Sequence, residues 1–547
     1  MFHRVTSAGQ PEQINSAEAR NQRQSFASAW GPLREPLFRA LWIAAVASNI
    51  GTWMEDVGEA WLMTSLSAST LMVALVETAG SLPIVLLAVP SGTFADLFDR
   101  RRLLLVTQAW MLIVAATLGL LTIAGLTTPW ILLILAFALG LGAAVNAPAW
   151  EAITPELVAR ADLPAAVTLG AVAFNVARAV GPAFGGLLVA ALGSGPVFLL
   201  NAASFLGVIV VLYRWRRPVE KSNLPPEHVL GAMRAGVRYV RHTPTLQAVF
   251  VRAAAFIFCA SALWALLPLV ARRGLGLSAA GYGVLLGCLG LGGVTGASFL
   301  PKVRRKISTN SLVVGATLIF AAVTIVLGYV HIAAVVGGSL FLGGIAWIAL
   351  LSTFNVAAQT ATAAWVRARV LGVYMLAFFG GFACGSAIWG WIAGRVGISV
   401  TLLIAALGLV AGLITGIRFK LRCSENLDLT PSAHWPEPKV QAQPDAQTGP
   451  VLVTVEYRID PKYAQAFTQA ARALGEIKRR DGAFYWNLFR DTADSGRFVE
   501  TFIVDSWAEH LRQHGRLTKA DREVEDRVRA FHLGASPPKI SHLIAES

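Results

Sequence analysis

Twelve apolar stretches of about twenty residues recur between positions 38 and 419, and this repetition restricts the chain to a helical membrane architecture. Crossing ~30 Å of hydrocarbon at 1.5 Å per residue takes about 20 residues. The expected spans are 38–65, 71–94, 103–125, 130–153, 163–192, 196–213, 246–270, 279–300, 311–328, 332–360, 370–395 and 398–419. Composition agrees: 55% of the 547 residues are hydrophobic and only 14% charged, against roughly 25% charged in soluble domains.

The net charge of +14 does not indicate nucleic acid, because the basic residues sit mostly in short connections between apolar runs. There they set orientation. Arg100 to Arg102, Arg160, Arg214 to Lys221, Lys302 to Lys306, and Arg367 with Arg369 occupy alternate loops, whereas the other loops carry only Arg272, Arg273 and Arg395. Both termini and the central loop are therefore expected on the cytoplasmic side. The first 35 residues are polar and lack the apolar core of a secretory signal, so the first span is expected to be retained. Four cysteines without CxxC spacing indicate neither a disulfide framework nor a metal site, and no cofactor is expected.

The central loop separates six spans from six, and an internal repeat accompanies it. Gly92 and Gly296, Gly181 and Gly385, and Gly186 and Gly390 share an offset of 204, as in 296 − 92. The expected organisation is a cytoplasmic tail (1–36), a six-helix half (37–213), a cytoplasmic loop (214–245), a second half (246–420), a linker rich in Pro, Gln and Asp (421–449), and a cytoplasmic domain (450–547). In that last domain, alternation in VLVTVEYRI, a helix opened by Asp460 and Pro461, two strands around ADSG, a helix from Trp507 and a final strand near ISHLI give β-α-β-β-α-β. This order fits a ferredoxin-like sheet. The fold class is thus an all-α membrane protein of twelve transmembrane helices with an α+β soluble domain.

The first span contains GTWMEDVGEAWLMT, with Glu55, Asp56 and Glu59. From Phe38 to Glu55 is about 25 Å of helix, so these acids fall in the outer half of the membrane. Glu55 and Glu59 share a face, and Glu77 in the second span reaches a similar depth. Crowded carboxylates in a low dielectric repel and share protons, the property a proton-coupling site requires. The other reading places them in a wet outer vestibule as solvated acids, with Glu59 nearer the rim. Arg178, deep in the fifth span, needs an acid or a water-filled cavity as partner. Asn175, Arg178, Pro182 and Gly185 share one helical face. Asn49, Trp53, Trp150, Asn175, Arg252 and Trp264 are candidates for lining a substrate cavity, although tryptophans also anchor interfaces and Arg252 can snorkel to the cytoplasmic side.

The loop GTFADLFDRRR, with Gly92, Asp96, Asp99, Arg100, Arg101 and Arg102, resembles the loop between the second and third spans of the major facilitator superfamily. Asp99 stands where that family usually has a second glycine. The resemblance implies a conformational latch in which Asp96 caps a helix and pairs with a cation; alternatively the arginines only set orientation. Gly181, Pro182, Gly185 and Gly186 in GPAFGG look like the tail of the fifth-span motif of drug exporters in that superfamily, implying gating or close packing. More narrowly, GTWMEDVGEAWLMT, PAWEAITPELVARADLPAAVTL, FNVARAVGPAFGG, RARVLGVYMLAFFGGFACGS, RRDGAFYW and SWAEHLRQHGRLTKAD resemble the bacterial transmembrane secretion effector branch, which includes enterobactin-exporter-like proteins, from about residue 37 to the end.

That resemblance implies a secondary active exporter of a small amphipathic compound, siderophore-, drug- or metabolite-like, working by alternating access as a proton antiporter. Its partners would be the substrate, protons and the bilayer, with no nucleic acid. The last domain resembles the small antibiotic-biosynthesis monooxygenase fold, which usually pairs, so dimerisation through it is implied. His510 and His514 are expected as a surface pair. The chain is expected not to be an enzyme; a membrane-anchored oxygenase and a non-transporting sensor are the alternatives. No GxxxxGK[ST] stretch supports ATP-driven transport.

Overall fold

The computed structural model describes residues 30–87, 91, 99–159, 161–215, 229–419, 428–432, 434–435, 444–445, 447–534 and 536–545. A first six-helix group consists of α1 (Pro36–Leu66), α2 (Thr70–Leu87), α3 (Arg100–Ile123), α4 (Pro129–Leu157), α5 (Leu163–Leu192) and α6 (Ser194–Arg214). After α7 (Val229–Arg241), a second group follows: α8 (Pro244–Leu269), α9 (Ala279–Arg304), α10 (Thr309–Tyr329), α11 (Ala333–Thr360), α12 (Arg367–Val396) and α13 (Ile398–Gly412). Among the described residues, ten helices, α2 to α6 and α8 to α12, are long and apolar enough to cross a membrane. Proline in the first turn opens α1, α4, α5 and α8, where its missing N–H costs no hydrogen bond.

The 204-residue offset extends into the backbone. Gly193 between α5 and α6 and Gly397 between α12 and α13 take φ of 82° and 87°, a left-handed conformation that glycine adopts without strain, and 397 − 193 = 204. Arg100 and Arg304 repeat it as well. Arg100 reaches the end of α4 through Ala152 O (3.1 Å) and Glu156 (2.8 Å), and Arg304 reaches α11 through Ser352 and Thr353, both at 3.1 Å.

The two groups meet through α5 on α9 and α2 on α12. Small residues allow this approach: a Cβ on Gly186 would lie 2.6 Å from Ala279 O, and one on Gly290 would lie 2.8 Å from Arg178 O. On the other pair, Thr70 Oγ1 donates to Gly390 O (2.8 Å) and Thr78 Oγ1 to Ala383 O (3.0 Å). These contacts run from the middle of the helices to the end bearing residues 66–70. Toward the other end the first half of α5 packs on α1 instead, where Trp42 Nε1 donates to Leu169 O (2.9 Å), and Gly170 faces open space. On the α5 side, contact between the groups thus lies in the half ending near residues 66–70, and toward the other end Gly170 opens on a cavity between α1, α4 and α5.

Several expectations need correction. The last apolar stretch is divided: α13 stops at Gly412, and Thr415–Arg418 forms a separate turn whose Thr415 hydroxyl takes up Gly412 O (2.6 Å). The central loop holds α7, whose arginines hid it among connection residues. The linker is not wholly free, because Pro431 bridges Thr518 and Trp435 Nε1 donates to Glu525 (2.9 Å).

The C-terminal domain has strands β1 (Val451–Arg458), β2 (Tyr485–Arg490), β3 (Arg497–Val504) and β4 (Lys539–Ile544), in the order β2-β3-β1-β4, all neighbours antiparallel. Helices α14 (Ala464–Asp481), α15 (Trp507–Arg516) and α16 (Lys519–Arg529) accompany the sheet. Alternation puts Val451, Val453 and Tyr457 of β1 and Phe498, Phe502 and Val504 of β3 into a core with Phe467 and Leu474 of α14. The single helix expected from Trp507 is two, because Thr518 caps α16 in a reciprocal box with Asp521.

Candidate functional site

The acids of α1 gather in its second half. Glu55 is buried and accepts a hydrogen bond from Nδ2 of Asn201 in α6, while its other oxygen has no partner. Asn201 is itself fully buried and its amide is oriented by Ser204, whose hydroxyl donates to Asn201 Oδ1 at 3.0 Å. Asp56, one position round the helix, is exposed and stands within electrostatic range of Glu77 on α2. Glu59 is buried and feels Glu55, Asp56 and Glu77. Tyr282 of α9 faces Asp56 and Glu77 from the second group. Asn201 and Tyr282 were not singled out in the sequence, although a lone amide in the apolar run FLLNAASFLG was a usable signal.

Glu59 is buried like Glu55, and the helix end beyond it is tied to the second group. Trp61 stacks on Tyr282 across the group boundary with ring centroids 6.0 Å apart. Arg272 lies 5.4 Å over Trp61 and donates to Thr64 Oγ1 (2.9 Å) and Ser65 Oγ (2.5 Å). Arg273 adds a bond to Ala68 O at 2.9 Å. Two of the three arginines that broke the loop-charge pattern thus tie the groups together at this helix end.

The fifth-span glycines divide their work. A Cβ on Gly181 would sit 2.5 Å from Trp53 Cβ and one on Gly185 2.7 Å from Met54 Cα, so both press α5 onto α1. Gly186 faces α9 instead, and Pro182 presents its carbonyl to Gly283. Arg178 stands apart from the acids. Its guanidinium lies beside Gly293 of α9, and its Nε has no hydrogen-bond partner. Asn175 donates to Ala171 O in its own helix at 2.8 Å, and Trp53 packs edge-on against Phe174 at 6.1 Å.

The cavity candidates fall in different places. Asn49 and Trp150 line one cavity with Trp42 and Gly170, between α1, α4 and α5. Arg252 is buried inside the second group, bonded to Asn310 Oδ1 at 2.7 Å, and lines a small cavity with Thr317 and Phe354. It does not snorkel, because Asn310 and the turn carrying Gly416 enclose it. Trp264 packs at a tilt 5.5 Å from Trp347, which joins a cluster with Phe256 and Phe320.

In the basic loop, Gly92 and Asp96 lie outside the described residues. The cap on α3 comes from Asp99, whose Oδ1 accepts from Arg102 N at 2.9 Å. The aspartate that departs from the family pattern thus satisfies an otherwise orphaned helix N–H. Arg101 binds the last carbonyls of α6, Leu212 O and Tyr213 O, both at 2.8 Å.

In the C-terminal domain, His510 is 1% exposed rather than at the surface, and neither ring nitrogen has a partner. The rings of His514 and His542 lie 5.1 and 4.7 Å away. Burial, then His542 and His514, hold its pKa down at about 3. Among the described residues no group of three or more His, Cys, Asp or Glu is arranged to hold a metal. Trp486 belongs to the core, its Nε1 donating to Glu500 at 2.8 Å.

Residues 27–547 match the family profile described as transmembrane secretion effector. The multidrug efflux pump Tap of Mycobacterium tuberculosis (strain H37Rv) is 26% identical over 436 residues, covering 75% of this chain and 99% of that protein. The enterobactin exporter EntS of Escherichia coli O1:K1 is 28% identical over 363 residues, 65% of this chain and 85% of that one. A bacterial homologue of the lysosomal transporter Spinster, in an inward-facing occupied conformation, superposes with a TM-score of 0.58 at 15% identity over 71% of this chain and 98% of its own. With a profile match over nearly the whole length, efflux and export relatives, and a transporter fold, the chain belongs to the transmembrane secretion effector family, as a multi-pass secondary transporter of the major facilitator type and not an enzyme.

Proposed function

We propose that the protein exports a small amphipathic compound, siderophore-, drug- or metabolite-like, from the bacterial cytoplasm by alternating access coupled to inward proton flow. The supporting observation is the group of carboxylates on α1 and α2: Glu55 and Glu59 buried on α1, with Asp56 beside them and Glu77 of α2 within electrostatic range. Carboxylates crowded inside a membrane domain repel and share protons, the property that proton exchange requires. The relatives named for efflux of drugs and export of enterobactin favour a substrate of that size and character.

In this reading α1 and α13 complete twelve spans. α1 is 31 residues long and buries Glu55 and Glu59 within the protein, and α13 is extended by the turn Thr415–Arg418. The loop charges put the end bearing Gly170 and both termini in the cytoplasm, so the cavity at that end faces inward. Asn49, Trp53, Trp150 and Asn175 line the substrate path on the first half, and Arg178 faces it at the level where the halves part. Asp99 to Arg102 with Gly92 and Asp96 serve as the cytoplasmic latch, and Gly181 to Gly186 as the hinge surface. The sheet order of the C-terminal domain fits a ferredoxin-like fold. Its uncovered sheet face, with Tyr485, Phe489 and Leu543 exposed, supports dimerisation.

The test uses everted vesicles under an imposed pH gradient, with ethidium and a catecholate siderophore as probes. Glu55→Gln, Asp56→Asn, Glu59→Gln and Glu77→Gln are compared with the parent. Gradient-driven uptake should be lost in at least one variant while downhill exchange persists; uptake unchanged in all four sinks the coupling site.

A further inference from the structure

The C-terminal domain is seated on the second six-helix group. Its contact surface is α7 and the short connection between α11 and α12.

Tyr239 of α7 is the centre of that surface. It is 1% exposed, and its hydroxyl accepts from Ala363 N at 3.2 Å, which ties α7 to the connection leading into α12. Trp365 packs edge-on against it at 5.8 Å. Two arginines of the C-terminal domain cover this pair: Arg480 lies 5.1 Å over the Tyr239 ring and Arg516 4.5 Å over Trp365. Both are held rigidly from behind. Arg480 is fixed between Asp481 (2.8 Å) and Asp521 (2.7 Å), and Arg516 by Glu509 and by Asp481 O (2.7 Å). A desolvated guanidinium over an aromatic face is a strong contact of this type. At the edges, Arg238 reaches Glu509 at 3.4 Å and His242 reaches Glu476 at 2.9 Å.

The seat matters because of what it holds. α7 lies along the start of α12, where a Cβ on Gly236 would come 3.1 Å from Arg369 Cβ. α12 is one of the helices paired across the two groups, and its contacts with α2 run from Thr70 on Gly390 O to Val85, 3.9 Å from a Cβ on Gly380. A change in how the two groups meet therefore moves α12 against α2. The docked domain fastens α7, Ala363 and Trp365 into one block at the start of α12, on the face the helix must carry with it.

We propose that the C-terminal domain is a detachable brake: docked on Tyr239 and Trp365, it favours the conformation in which the Gly170 cavity is open, and undocking speeds the conformational exchange. The partner it fits is thus the membrane half of the same chain. The proposal rests on the transporter reading, and its test reads conformation separately from transport.

The full-length protein, with Cys259, Cys288, Cys384 and Cys423 replaced by serine, carries Gly170→Cys in that cavity as a maleimide target. Three forms are compared with this parent: a docked form locked by a disulfide between His242→Cys and Glu476→Cys, an undocked form with Trp365→Ala and His242→Ala, and a chain ending at Gly449. The two alanine changes lie on the membrane half and leave the core of the C-terminal domain intact. Labelling should be at least two-fold slower in the undocked and shortened forms and no slower in the locked form. Ethidium efflux should rise in the first two and fall in the third. Equal labelling in all forms overturns the brake, as does faster labelling on undocking. Labelling that shifts as expected in a parent that moves no ethidium leaves the brake standing and counts against the substrate reading instead.

Discussion

Asn201 donates its side-chain N–H to Glu55 across the interface of α6 and α1, and both residues are buried. The amide gives the carboxyl its one partner, since the other oxygen has none. Removing the donor leaves a buried carboxyl without any bond, a loss of ~1–3 kcal/mol. Asn201→Ala should therefore lower the melting temperature of the detergent-purified protein. Glu55→Gln together with Asn201→Ala should cost less than the two single losses added, because they share one contact. Additive losses in calorimetry would show that the pair does not interact.

Arg272 makes three contacts from the second group to the first near the end of α1, on Trp61, Thr64 and Ser65. Arg272→Ala should weaken that link. Maleimide labelling of Gly170→Cys at the other end should then fall at least two-fold, because alternating access couples the two ends. Arg272→Lys keeps a donor for the hydroxyls but not the planar stack, and should restore labelling only in part.

Gly186 and Gly283 meet where a Cβ on the first would lie 2.6 Å from Ala279 O and 2.8 Å from Gly283 Cα. The obstacle is backbone, so a side chain there forces the helices apart. Gly186→Leu should reduce transport of ethidium by an order of magnitude or more in vesicles with normal expression. Gly315→Ala, on α10 with nothing within 4 Å, is the matched control and should transport as the parent does.

The helices and their order were legible because span length and loop charge are one-dimensional signals. The repeat was legible because Gly181, Gly186, Gly385 and Gly390 mark close approaches that no other residue permits. What the sequence did not show depends on packing between distant segments. The burial of Glu59 was not legible along α1 alone, because Tyr282 and Arg272 of the second group meet Trp61, two residues further on, from elements distant in sequence. Arg178 looked like a partner for the acids because both are charged and intramembrane, but its position on α5 directs it to Gly293. α7 was hidden because its apolar stripe is built to meet protein on one side and arginine on the other, and neither neighbour is local in sequence.

His510 gives the C-terminal domain a pH-sensitive stability with a definite sign. Burial chiefly, aided by His542 and His514, brings its pKa to about 3, against about 6.5 in an unfolded chain. Lys478 adds repulsion from α14. Above pH 6.5 neither state binds the proton, and the full stability is present. Between about 6.5 and 3 the unfolded chain takes up a proton that the folded domain refuses, so stability falls by about 1.4 kcal/mol per pH unit as the solution is acidified. Below about pH 4.3 Glu525 steepens the loss: burial alone would raise it, but Lys478, Arg529 and the Trp435 N–H outweigh burial and hold it at about 2. Hydrogen exchange of peptides from α15 in the full-length protein should therefore accelerate from pH 6.5 downward, after correction for intrinsic rates. His510→Phe should flatten that slope between pH 6.5 and 5 while leaving peptides of α10 unchanged; an unaltered slope would mean that His510 is not the residue refusing the proton.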